Sequence, residues 1–109
     1  MTVREIAAKL SLVPHSLVDE EREVEGVYTG DLLSWVMGRA KPGQALVTIM
    51  TNVNVVAVAS LLDLSMVIVC DSAMPDASVI DTAKAKDVNL FTFGGTSYEL
   101  CAKFAQLGL

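Results

Sequence analysis

The residues of this chain that could do chemistry gather in four short polar turns: Thr29-Gly30-Asp31, Thr51-Asn52-Val53-Asn54, Cys70-Asp71-Ser72 and Gly94-Gly95-Thr96-Ser97. Each follows a β-rich run, and three of them open a helix. A helix amino terminus carries unpaired backbone N–H groups and a partial positive charge, so such turns can receive a phosphate or carboxylate without Lys or Arg. The residues expected to line that ligand site are Asp31, Thr51, Asn52, Asn54, Asp71, Ser72, Gly95 and Thr96. A plainer reading stands beside it, in which Asp31, Asn54 and Thr96 only cap the helices that follow them.

Catalytic patterns are incomplete. Gly94-Gly95-Thr96 lacks both the Lys of the phosphate-binding P-loop and the three-glycine spacing of dinucleotide sites. Asp71 ends an apolar strand as a phosphoacceptor aspartate would, yet no acidic pair closes the first strand. Acid–base work needs paired titratable groups in one pocket, and Asp31 with Asp71 is the one pair placed to meet. His15, the single histidine, sits beside Pro14 in a predicted loop and reads as a surface residue, neither ligand nor base. No metal site and no cofactor are expected.

The elements that position these turns are legible from apolar patterning. Ala45 to Met50 is one apolar run, Val55 to Leu62 follows the polar cluster at Thr51–Asn54, and Met66 to Cys70 is a second β-rich run. This spacing predicts a βαβ crossover in a buried parallel sheet, whose polar turns gather at the carboxyl ends of the strands, where open α/β sheets bind ligands. Upstream, Thr2 and Glu5 have capping-box spacing ahead of a stripe at Val3, Ile6, Ala7 and Leu10. A brief strand at Leu12-Val13, cut by Pro14, and an alternating edge strand from Glu23 to Tyr28 come next, separated by the solvated acidic stretch Asp19-Glu20-Glu21. Asp31 is expected to cap a helix from Leu32 to Met37. Past Cys70, Pro75 leads into a helix with Val79, Ile80 and Ala83 buried, Val88 to Phe93 forms a strand, and Thr96 with Glu99 makes a second capping box before Leu100, Phe104 and Leu107.

Composition bounds the function classes. With 109 residues and 52% hydrophobic content, one domain over residues 1–109 is the natural expectation. A net charge of −5 with scattered basic residues excludes a broad electrostatic grip on nucleic acid or anionic lipid. The apolar stretch from Ala45 to Cys70 is interrupted by Asn52, Asn54 and Asp63, so no membrane span is predicted. Cys70 and Cys101 lack C-x-x-C spacing and read as buried, reduced thiols, which places the chain in the cytoplasm. The helix carrying Leu32, Leu33, Trp35, Val36 and Met37 is apolar on more than one face; it is either internal or presents Trp35 and Met37 to a partner subunit, and the interface is the expectation.

Taken in order, Tyr28-Thr29-Gly30-Asp31-Leu32-Leu33, the run Asn54 to Ser60, the strand Met66 to Val69, the Pro75 helix and the final Leu107-Gly108-Leu109 resemble the DRTGG-domain family, itself similar to the amino-terminal domain of HPr kinase/phosphorylase. The resemblance implies a regulatory α/β/α domain without catalysis, found alone or attached to phosphotransacetylases and regulated pyrophosphatases, and often dimeric. The motif residues that name the family align with Thr51–Asn54 and Cys70–Ser72, where the Asp-Arg and Thr-Gly-Gly elements are absent. No kinase activity follows from it, since the phosphate-binding kinase domain is missing.

The combined expectation is a three-layer α/β/α fold with a mostly parallel central sheet of about five strands. Its function would be that of a non-catalytic cytoplasmic regulatory homodimer that binds a small anion, such as a nucleotide or phosphorylated metabolite, at the carboxyl ends of the strands. The alternative is an adaptor whose one ligand is a protein partner.

Overall fold

A computed structural model describes residues 1–109. The chain runs α1 (Val3–Lys9), β1 (Val13–Ser16), β2 (Val27–Thr29), α2 (Leu33–Arg39), β3 (Ala45–Thr48), α3 (Val53–Leu61), β4 (Met66–Val69), α4 (Ala77–Ala85), β5 (Leu90–Thr92) and α5 (Ser97–Gln106). The five strands form one sheet in the order β1-β5-β4-β3-β2. β2, β3, β4 and β5 are parallel, and β1 adds an antiparallel edge on β5. The predicted crossover is therefore present: Ala45 to Thr48 register against Met66 to Val69, with α3 between them.

Both faces of the sheet are covered, which explains why β3 and β4 read as unbroken apolar runs. Leu46, Val67, Val69 and Leu90 pack under α2, α3 and α4 through Val36, Val55, Val56, Val79 and Ala83. Ala45, Val47, Met66, Ile68 and Phe91 pack under α1 and α5 through Val3, Ile6, Leu100 and Phe104. The fold is the three-layer α/β/α arrangement expected. α3 holds four valines in nine residues, poor helix formers. It is helical because Val55, Val56, Val58 and Ala59 are buried against the sheet and because Asn52 caps it.

Both predicted capping boxes form, Thr2 with Glu5 and Thr96 with Glu99, each contributing about 1 kcal/mol. Two cap assignments are corrected. Asp31 does not cap α2, whose N-cap is Leu32 with no side-chain hydrogen bond; its carboxylate turns to β3 instead. Asn54 lies inside the first turn of α3, and Asn52 is the cap, accepting from Asn54 N at 3.0 Å. The edge strand predicted from Glu23 shrinks to Val27–Thr29, because Gly26 sits at φ +144° and breaks the alternation. Pro14 does not cut β1: it lies on an outer edge, where a missing N–H costs no ladder bond, with the register slipping between Pro14 and Ser16. His15 is consequently in a strand, half-buried, its Nε2 2.8 Å from Thr92 Oγ1. No helix is long and apolar enough to cross a membrane.

Candidate functional site

Because β2 to β5 are parallel, the four polar turns emerge at one edge of the sheet, and hydrogen bonds tie them together in pairs. The Asp31 carboxylate accepts from Thr48 Oγ1 at 2.9 Å and from Ile49 N at 2.8 Å, binding the turn after β2 to the end of β3. Cys70 N donates to Thr48 O at 2.8 Å, and Asp71 N donates to Gly95 O at 2.8 Å. Ser72 Oγ donates to Gly94 O at 3.3 Å. The turn after β4 thus spans from β3 to the glycines after β5.

The helices that follow these strands do not all go the same way. α4 leaves β4 for the face that also carries α2 and α3, whereas α5 leaves β5 for the opposite face. Adjacent parallel strands whose loops diverge to opposite faces make the crevice at which open α/β sheets hold ligands. Here the loops diverge between Cys70-Asp71-Ser72 and Gly94-Gly95-Thr96-Ser97, two turns that hydrogen bonds close on each other, so the position is a switch point without an open cavity between them. Asp71 and Ser72 sit at φ +61° and +57°, and Ala73 N closes the turn on Cys70 O at 3.2 Å. Two successive left-handed non-glycine residues are a costly way to turn a chain, about 1 kcal/mol each, and such strain collects where loops serve ligands.

Charge separates the helix termini on this rim. α4 begins at the Asp76 carboxylate, which accepts from Val79 N at 3.1 Å and from Ser78 Oγ at 2.7 Å and is held below the usual carboxylate range first by Ser78 and then by Val79. α5 has Glu99 in its first turn. α3 has a neutral cap and no acidic residue in its first turn, and α2 likewise but with Asp31 directly ahead of its cap, so Thr51-Asn52-Val53-Asn54 opens the rim helix with no carboxylate on its own turn. Asn52 and Asn54 are exposed there, and Thr51 is half-buried. Apolar side chains flank the turns: Ile49 and Val53 around the start of α3 and Met74 after β4 are exposed. Asp71 is exposed, and a carboxylate suits ligand hydroxyls or amines, not the phosphate itself. Burial pushes the Cys70 thiol up to about 11, with Ser97 pulling the other way and Cys101, Asp71 and Asp31 adding to the rise, so at neutral pH it is an unreactive thiol.

The rim has no deep pocket. The one cavity touching it, against Met50, Thr51, Asn52 and Pro75, measures about 10 Å³, the volume of a single water at most. The largest cavity, about 420 Å³, opens at the opposite end, where the chain enters β4 and β5, between Asp19, Arg22, Asp63, Ser65, Lys86 and Asn89. None of these residues was among those expected from sequence. The repeated pattern Asp63-Leu64-Ser65 and Asp87-Val88-Asn89 ahead of β4 and β5 is the signal that would have pointed there. No group of three His, Cys, Asp or Glu is placed to hold a metal.

α2 keeps one apolar stripe. Val36 is fully buried and Leu33 half-buried, while Trp35 is 53% and Met37 46% exposed. Two residues apart, Trp35 and Met37 point about 200° from each other around the helix, on either side of Val36, so one flat partner surface can cover only one of them. Trp35 shares its side with Arg39, whose guanidinium stacks 3.9 Å from the ring centroid.

No family model matches the sequence. No curated protein matches it either. Among solved structures it is similar to the crystal structure of the CBS and DRTGG domains of the regulatory region of Clostridium perfringens pyrophosphatase, complexed with its activator diadenosine tetraphosphate. The TM-score is 0.72 at 15% identity, over 93% of this chain and 44% of that one, so the chain spans less than half of that structure's length. At this identity the likeness concerns the fold, and the fold of this chain is DRTGG-like.

Proposed function

We propose that residues 1–109 form a single DRTGG-like regulatory domain, without catalytic activity, that binds a nucleotide or a related phosphorylated metabolite on the carboxyl rim of its sheet. The observation that carries this reading is the β4/β5 switch point, where α4 and α5 leave for opposite faces, together with the amino terminus of α3, which has no carboxylate of its own. The phosphate is assigned to the N–H groups of Thr51, Asn52 and Val53, with the Asn54 side chain, the strained Asp71-Ser72 turn and Gly95-Thr96 as further contacts and Asp71 accepting from ligand hydroxyls. β3 and β5 lie two strand spacings apart, roughly 10 Å, a span that a nucleotide covers. The similar Clostridium perfringens structure holds a nucleotide activator in a regulatory region, which supports the ligand class and the regulatory role.

A homodimer belongs to the same reading, with Trp35 as its anchor, since exposed aromatic side chains are enriched at interface centres. Unpaired Cys70 and Cys101 accord with a reducing cytoplasm. Thermal shift against a panel of nucleotides is the test: a site saturated a hundredfold above its Kd adds about 2.7 kcal/mol. A flat response to every nucleotide and sugar phosphate at millimolar concentration rejects the ligand. Light scattering that reports a monomer at tens of micromolar, unaltered by Trp35→Glu, rejects the dimer. In that case the adaptor reading, in which one protein partner covers the rim, takes its place, and co-purification of that partner is its check.

A further inference from the structure

We propose that the cavity at the amino ends of β4 and β5 is a second ligand site, one that receives a primary ammonium or guanidinium group on a short aliphatic chain. The cavity measures about 420 Å³ and is built, not incidental. The side chain of Asn89 holds its wall with four hydrogen bonds: Oδ1 accepts from Val18 N at 2.9 Å and Asp19 N at 3.0 Å, and Nδ2 donates to Asp19 O at 2.9 Å and Ser65 O at 3.0 Å. Within that wall, the Ser65 hydroxyl is the one buried side-chain polar atom of the protein with no hydrogen-bond partner. Ser65 itself is 2% exposed, and its backbone groups are engaged with Gln44 and Asn89. A buried hydroxyl is ordinarily satisfied, so this one marks a place where a donor or acceptor from outside belongs.

Charge identifies the partner. Arg22 is already taken: Nη1 donates to Asp63 Oδ1 at 2.9 Å, and Nη2 donates to Asp63 Oδ2 at 3.1 Å and Asp63 O at 3.0 Å. What remains around the cavity is Asp19 and Asp87 against Lys86. The last turn of α3 and the carboxyl cap of α4 also face it, adding the partial negative charge of helix carboxyl ends. An anion would meet net repulsion there, and no set of three ligands exists for a divalent metal. Asp63 and Asp87 occupy equivalent positions just past the two helices at φ +57° and +56°, where glycine is the usual residue. Both helices therefore end in a less comfortable residue that sets a carboxylate at the cavity.

The test is titration of the full chain with 1,4-diaminobutane and with a doubly blocked lysine, read by amide NMR shifts, with inorganic phosphate as the contrasting probe. Saturable shifts at Asp63 to Ser65 and Asp87 to Asn89 are expected, weakened about tenfold by Asp87→Asn, which keeps the left-handed backbone accessible. Ser65→Ala is expected to weaken binding as well while leaving the melting temperature unchanged or higher. Tighter binding of the diamine supports a free amine as ligand; tighter binding of the blocked lysine supports the side chain of a protein partner. No saturable shift, shifts confined to Asp31 and Asp71 on the opposite rim, equal binding of phosphate, or affinity untouched by both substitutions overturns the proposal.

Discussion

The two ends of the sheet are assembled from the same strands and helices yet are electrostatic and geometric opposites. At the carboxyl rim, helices α2 to α5 begin, the turns are tied to one another by hydrogen bonds, and the surface is open. At the amino end, α3 and α4 finish, three aspartates surround a cavity of about 420 Å³, and one buried hydroxyl goes unpaired. Parallel crossovers impose this polarity, because each helix must run antiparallel to the strands it joins, which points every helix dipole the same way. The difference teaches that helix polarity, more than cavity volume, distinguishes the ends: helix starts favour negative charge and helix finishes positive charge.

The comparison breaks most decisively at Asn89. Replacing it with Ala removes three hydrogen bonds to the β1–β2 connection and one to Ser65 ahead of β4, and we expect a loss of about 3 kcal/mol in urea unfolding. A loss of a few tenths would mean that water replaces the side chain and that the amino end is as open as the rim. Asp31→Ala is the counterpart on the rim. It leaves the Thr48 hydroxyl proton and Ile49 N without their acceptor, while Met50 N still donates to Thr48 Oγ1, and about 1–2 kcal/mol should be lost, visible as a lower denaturation midpoint with an unchanged slope.

Asp87→Gly sharpens the contrast in the other direction. Relief of the left-handed backbone should stabilise the protein by up to about 1 kcal/mol while abolishing amine binding, so stability and affinity would move oppositely. A parallel change in both would remove the idea that Asp87 is kept for a ligand. The smallest effect concerns pH. Arg22 holds Asp63 below the ordinary aspartate range, first through its hydrogen bonds and then by charge, so this pair stabilises the fold above that range and the contribution disappears as pH falls through the lowered value. With Asp63 largely exposed, the amount is under about 1 kcal/mol, and Arg22→Gln should flatten that part of the acid stability curve.

Much of the architecture was readable because buried parallel strands, capping boxes and proline or glycine turns are local patterns. Ala45 to Cys70 announced a crossover, and Thr2 with Glu5 and Thr96 with Glu99 announced helix starts. The caps at Asp31 and Asn54 were misread for different reasons: at α3 the cap falls two residues earlier, on Asn52, a local shift, whereas Asp31 chooses between its own helix and a neighbouring strand, and that competition is decided by a partner distant in sequence. Asp31 prefers Thr48 and Ile49, donors brought alongside by β2–β3 pairing. The divergence of α4 and α5 after β4 and β5 was not legible either, since nothing local in Thr96 to Leu107 says which face α5 will cover.

What the sequence determined by itself is the set of elements, their order, and the gathering of polar turns at one edge, all of which follow from hydrophobic period and turn chemistry within a few residues. Only the tertiary structure decided that α5 crosses to the second face, that Asp31 serves a strand, and that Asp19, Arg22, Asp63, Ser65 and Asn89 enclose one cavity. Those outcomes depend on contacts between residues some twenty to seventy positions apart, whose energies exist only after the sheet has closed.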